Sequence, residues 1–113
     1  MSSSAVTTAK MTFYILNAAG APQAVHDVRT WGAWLETADR LVAQDQFGDV
    51  VVSTVFLGLD HRVGADGPPV LWETLIFGGP LDGEQRRYTS RADAEAGHTE
   101  LCIAAATTEQ ADT

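Results

Sequence analysis

The residues best suited to chemistry cluster at the end of one strand-like stretch and inside the next. Asp60 and His61 stand side by side in Gly58-Leu-Asp-His-Arg62, at the edge of a glycine- and proline-rich segment. A carboxylate beside an imidazole can orient and move a proton near neutral pH. Glu73 lies inside Val70-Leu-Trp-Glu-Thr-Leu-Ile-Phe77, where a carboxylate must be paired, protonated or turned to solvent. His98 adds a second imidazole. Asp60, His61, Glu73 and His98 are therefore the candidate catalytic residues. Each also has a plainer reading: Glu73 held by Arg87 or facing water, His61 capping a loop, and His98 on a helix facing the sheet edge or water.

Asp60, His61 and His98 are side chains a metal accepts, but they lack a diagnostic spacing such as two histidines one helical turn apart. No metal site and no cofactor is expected on that ground. Cys102 is the only cysteine, so no internal disulfide can form and no cysteine-based zinc site is expected. It falls in an apolar helical stretch, where an inert thiol is expected. Ser53-Thr54 lies mid-strand, outside any nucleophile-elbow pattern. Gly78-Gly-Pro-Leu-Asp-Gly83 reads as a turn, because it lacks the strand–helix context of a phosphate loop. Trp31 and Trp34 sit three apart and form an apolar face that is core when covered and an interface when not. With Arg62, Arg87 and Tyr88 they are the candidate binding residues.

Those side chains need elements to hold them. Met11–Leu16 is rich in aromatic and β-branched residues and reads as a strand, with Gln23–Val25 returning beside it after a turn at Asn17–Gly20. Asp27 can cap a helix whose apolar face is Val28, Trp31, Trp34, Leu35 and Ala38. Leu41–Phe47 reads as a strand turning through Gly48-Asp49 into Val50–Leu59, the clearest strand in the chain. Val70–Phe77 pairs antiparallel to it. A hairpin symmetric about residues 64–65 sets Asp60 near Pro69 and Glu73 opposite Phe56. Arg86–Thr89 forms a short strand, and Ser90 caps a helix from Arg91 to about Ala105 that turns Ala94, Gly97, Leu101, Cys102 and Ala105 to the sheet. The expected class is α+β: a meandering antiparallel sheet of five or six strands with two helices, in the order ββαββββα. One domain spans residues 10–105, between flexible tails 1–9 and 106–113.

The 113 residues suit one domain, and 45% hydrophobic with 19% charged residues marks a folded chain. Fifteen acidic residues against seven basic ones give a formal charge of −8. That field repels phosphates, so no direct nucleic-acid binding is expected, and no apolar run reaches the length of a membrane helix. The opening Met1–Ala9 lacks the pattern of a signal peptide, which together with the absent disulfide points to the cytoplasm.

Val52-Ser-Thr-Val-Phe-Leu-Gly-Leu-Asp-His61, Pro68-Pro-Val-Leu-Trp-Glu-Thr-Leu-Ile-Phe-Gly-Gly79, and Arg87-Tyr88 followed by Ala94 and Gly97-His98 resemble segments of a group of small proteins encoded by phages and prophages. The likeness covers about residues 50–98 and weakly includes the Trp31–Glu36 helix. This chain departs from the pattern in having Trp72 for a phenylalanine, and Ser90-Arg91 for a threonine–tryptophan pair that would pack at the helix start. Small size, an acidic surface, no recognised catalytic motif and phage-type kin together point to an accessory protein acting by protein–protein interaction in the host cytoplasm, on a host defence or replication component. Two alternatives stand beside it: a small enzyme or metal-binding domain using Asp60, His61, Glu73 and His98, and a self-associating structural or virion-linked protein.

Overall fold

Short runs of β-branched and aromatic residues alternate with turns rich in glycine, asparagine and aspartate, and six of those runs are strands. The structure is a computed structural model that describes residues 12–62 and 67–111. Its order is β1 (Phe13–Leu16), β2 (Pro22–Val25), α1 (Val28–Thr37), β3 (Leu41–Phe47), β4 (Val50–Phe56), β5 (Trp72–Phe77), β6 (Gln85–Tyr88) and α2 (Arg91–Ala111). This is the expected ββαββββα order and α+β class. The strands divide between two antiparallel sheets, β1-β2 and β3-β4-β5-β6, where a single sheet was expected. The expected tail 1–9 and residues 63–66 of the Asp60–Pro69 loop lie outside the described residues. The chain forms two compact units: residues 12–38 with Gly58–Asp60, and residues 39–57 with those from His61 onward.

In the first unit, Asn17 closes the β1-β2 hairpin by accepting from the backbone N–H groups of Ala19 (2.9 Å) and Ala21 (3.0 Å). Asp27 caps α1: its carboxylate accepts from the Arg29 N–H and from the Thr30 hydroxyl, both at 3.0 Å. Trp31 tilts against Phe13 with ring centroids 4.7 Å apart. The strand expected to run from Val50 through Leu59 stops at Phe56. Gly58 has φ 81, and Gly58–Asp60 pairs instead with β1, through Tyr14 N–H to Gly58 O at 2.8 Å and a bridge between Phe13 and Leu59. A side chain at Gly58 would be strained by that φ and would approach Trp31 Nε1 to 3.1 Å.

In the second unit, β3 to β6 form a meander with α2 against all four strands. Alternation along β4 buries Val50, Val52, Thr54 and Phe56, and leaves Val51, Ser53 and Val55 half-buried. Trp72, Thr74 and Ile76 of β5 share the buried face. Phe56 lies opposite Trp72 and Val55 opposite Glu73, one residue away from the symmetric hairpin expected. The reason is the period of two: a slip by one would turn the buried face of β4 toward the half-exposed face of β5. Val50, Val52, Ile76, Leu101 and Ala105 make the core between sheet and helix.

Ser90 caps α2, its hydroxyl accepting from the Asp93 N–H at 3.1 Å. The helix continues to Ala111, beyond the end near Ala105 that burial alone implied. Propagating a formed helix fixes one residue per added hydrogen bond, so it can outrun its buried face. Arg86 and Glu100 join β6 to α2 at 2.7 Å. The closest approach is at Gly97, where any Cβ would overlap the ring of Tyr88.

Two helical glycines thus give opposite expectations. Gly97→Ala should destabilise the protein by about 3 kcal/mol, the upper range for overpacking a filled site. At Gly32, an added Cβ meets nothing within 4 Å, so Gly32→Ala should stabilise by about 0.5–1 kcal/mol through helix propensity. Urea unfolding of the two variants measures both.

Candidate functional site

Polar residues on the helix-facing side of the second sheet have to find partners, because water does not reach them. β4 and β5 place Thr54 and Thr74 directly opposite each other, both fully buried, with their hydroxyl oxygens 2.5 Å apart. β6 supplies Tyr88, whose hydroxyl lies 2.9 Å from Thr74 Oγ1. α2 lowers His98 onto the pair, with Nδ1 2.7 Å from Thr54 Oγ1. Nε2, on the other side of the ring, lies 2.7 Å from Oδ2 of Asp45 on the edge strand β3. One helical turn after His98, the Cys102 thiol points at the same carboxylate oxygen, 3.7 Å away.

The direction of these hydrogen bonds follows from the carboxylate. An ionised Asp45 only accepts, so His98 donates from Nε2. When the ring is neutral, its Nδ1 accepts from the Thr54 hydroxyl, Thr54 accepts from Thr74, and Thr74 accepts from Tyr88. Every hydroxyl donates once, and the chain ends on a charge at the protein surface. The hydrogen bond from His98 holds the Asp45 carboxyl below its ordinary value of 3.8, outweighing the opposing effect of partial burial. Burial pushes the Cys102 thiol from 9.0 up to about 11, and the negative Asp45 adds to that rise.

Hydroxyl, imidazole and carboxylate in sequence is the order of a nucleophilic triad. Here the hydroxyl is sealed. Thr54 is fully buried and also bonded to Thr74, so no acyl or phosphoryl group can reach its oxygen. The arrangement braces the helix on the sheet.

The four candidate catalytic residues take separate places. Glu73 pairs with Arg87 at 3.0 Å, which is its plainer reading. It sits on the face of β5 opposite Thr74, so Glu73 and His98 lie on opposite faces of the sheet. Asp60 belongs to the first unit, where its N–H reaches Thr12 O at 3.3 Å. The His61 N–H reaches Val70 O at 2.9 Å in the second unit. Of the candidate binding residues, Trp31 and Trp34 are half-buried, and Arg62 donates to Gly67 O at 2.5 Å. Tyr88 is buried in the polar chain, so it offers no contact surface.

Asp45 and Thr74 were not among the residues singled out from the sequence; Thr54 was set aside as mid-strand and Cys102 as an inert thiol. A signal existed. The two-residue turn at Gly48-Asp49 sets Phe47 opposite Val50, which puts Asp45 and Thr54 on one face. His98 and Cys102 stand four apart on a helix, as neighbours must. Comparison with protein-family models, curated proteins and solved structures gives no match.

Two measurements test the charged end of the chain. A carboxyl with a lowered folded-state pKa contributes stability above its unfolded value, and that contribution is lost as pH falls through the folded value. Wild-type urea midpoints should therefore fall more steeply than those of Asp45→Asn as pH drops below 3.8. A thiol raised from 9.0 to about 11 should alkylate at pH 8 roughly 100-fold more slowly than an unperturbed one, by thiolate fraction. Asp45→Asn should recover part of that rate.

Proposed function

We propose that this protein works by binding another protein, and that its contact surface is the face of the four-stranded sheet turned away from α2. The supporting observation is the make-up of that face. Val51, Val55, Leu75 and Phe77 share that face with the Glu73–Arg87 pair, Val55 opposite Glu73 and Val51 opposite Phe77 at the far end of the strands, and Phe77 keeps 49% of its surface exposed. Leu41, opposite Val55 on the edge strand, keeps 47%. An apolar centre with one ion pair and a polar rim is the composition of a protein contact.

The formal charge of −8 favours a partner with a basic surface and opposes nucleic acid. The phage-type resemblance suggests a host defence or replication protein as that partner, met in the host cytoplasm. Catalysis is the weaker reading, because the Thr54–His98–Asp45 arrangement is closed to substrate at its hydroxyl.

The test is capture from a bacterial lysate at low and moderate salt, with two substitutions at exposed positions. Wild type should retain a partner, and Phe77→Asp should reduce retention at least about tenfold, as for a contact worth about 1.4 kcal/mol or more. Ile103→Asp, on α2 at 62% exposure, should leave retention unchanged. Equal retention by Phe77→Asp, or a monodisperse wild type that retains nothing, counts against the reading. Light scattering that shows a wild-type dimer converted to monomer by Phe77→Asp would assign the same face to self-association.

A further inference from the structure

We propose that Asp45, His98 and Cys102 form a binding site for one divalent cation of the zinc class, with water in the fourth position. Their ligand atoms, a carboxylate oxygen, an imidazole nitrogen and a thiol sulfur, lie within 4.8 Å of one another. The set comes from two elements. His98 and Cys102 project from neighbouring turns of α2, and Asp45 meets them from edge strand β3.

The spacing suits a tetrahedral ion. Zinc–sulfur and zinc–oxygen bonds of about 2.3 and 2.0–2.2 Å put the two ligand atoms roughly 3.5 Å apart. Cys102 Sγ and Asp45 Oδ2 are 3.7 Å apart already. His98 Nε2 and Asp45 Oδ2, at 2.7 Å, must separate to roughly 3.3 Å, the edge of the same tetrahedron. Asp45 can supply that movement, since its side chain is 55% exposed on an edge strand while His98 is buried. The exposed carboxylate also gives the ion its way in from solvent.

The surroundings complete the site. A metal-binding histidine normally donates its other ring N–H to a fixed partner, and Thr54 Oγ1 stands 2.7 Å from Nδ1. Imidazole with thiolate selects borderline metals over magnesium or calcium. The charges cancel, because a thiolate and a carboxylate neutralise the divalent ion. Cys102 releases its thiol proton, and the imidazole keeps one N–H, moved from Nε2 to Nδ1, where it donates to Thr54. The Thr54 hydroxyl then turns to donate to Thr74 and the Thr74 hydroxyl to Tyr88, so the hydrogen-bond chain reverses. Without an ion, the protonated thiol points at the Asp45 carboxylate. With one, that contact becomes shared coordination.

The test uses the reduced full-length chain and cobalt(II), which reports thiolate ligation by a charge-transfer band. Cys102 is the only cysteine, so any such band belongs to it. The expected result is one cobalt per chain, displaced by zinc. Asp45→Ala should weaken binding at least about tenfold, since even partners outside the first sphere of ligands are worth that much. His61→Ala should change nothing. Because His98→Ala removes a buried group and is prone to misfold, His98 is followed by nitrogen NMR, where zinc should move its proton from Nε2 to Nδ1. Absence of the band in wild type overturns the proposal. So does unchanged affinity in Asp45→Ala, a His98 proton that remains on Nε2, or a stoichiometry of one ion per two chains.

Discussion

Two threonine hydroxyls facing each other across neighbouring strands, with no access to water, set the terms for the rest of the second unit. Each must be hydrogen-bonded where it stands, because an unmade buried bond costs about 1–3 kcal/mol. Pairing them leaves one needing a further acceptor and the other a further donor. His98 answers the first need and Tyr88 the second. Seating His98 that deep requires α2 to lie close over the sheet. Tyr88 can reach Thr74 only if the helix offers no Cβ at the crossing, so position 97 is glycine. Helix placement, strand register and a motif-like Gly-His pair thus share one physical origin.

The same chain shows why residue types alone do not make an active site. Thr54, His98 and Asp45 have the composition and order of a catalytic triad, yet the hydroxyl end is fully buried and the carboxylate end is exposed. Chemistry needs the reverse. What remains accessible is the Asp45 carboxylate, which meets the buried His98 and the Cys102 thiol at the rim. Exposure, rather than residue identity, separates bracing from function here.

The four-stranded sheet accordingly has two characters. Its helix side is closed to water and joins its threonine, tyrosine and histidine side chains in one hydrogen-bonded chain, with the Trp72 indole N–H left buried and without a hydrogen-bond partner. Its other side carries half-exposed valine and leucine, the ion pair of Glu73 and Arg87, and Phe77 with about half its surface in water. The β1-β2 unit is organised separately, around the Trp31–Phe13 contact and the Gly58–Asp60 segment paired with β1. Asp60 and His61, neighbours in the chain, belong to different units.

Local chemistry was enough to determine the elements. Alternating β-branched residues set the strands, Asp27 and Ser90 set the helix starts, and Gly48-Asp49 set one hairpin, because each depends on neighbours a few residues away. Glu73 paired with Arg87 was legible for the same reason, as a charge in an apolar strand seeks a partner across the adjacent one. Only the tertiary structure decided that β4 stops at Phe56, that the hairpin register lies one residue from symmetry, and that the strands make two sheets. It also decided the site. Asp45 lies 53 residues before His98 and Thr54 lies 44 before it, and no local rule links positions so far apart. Their meeting follows from burial: two threonines on the inner face of a hairpin had to be satisfied, and a histidine on the covering helix was the group that could do it.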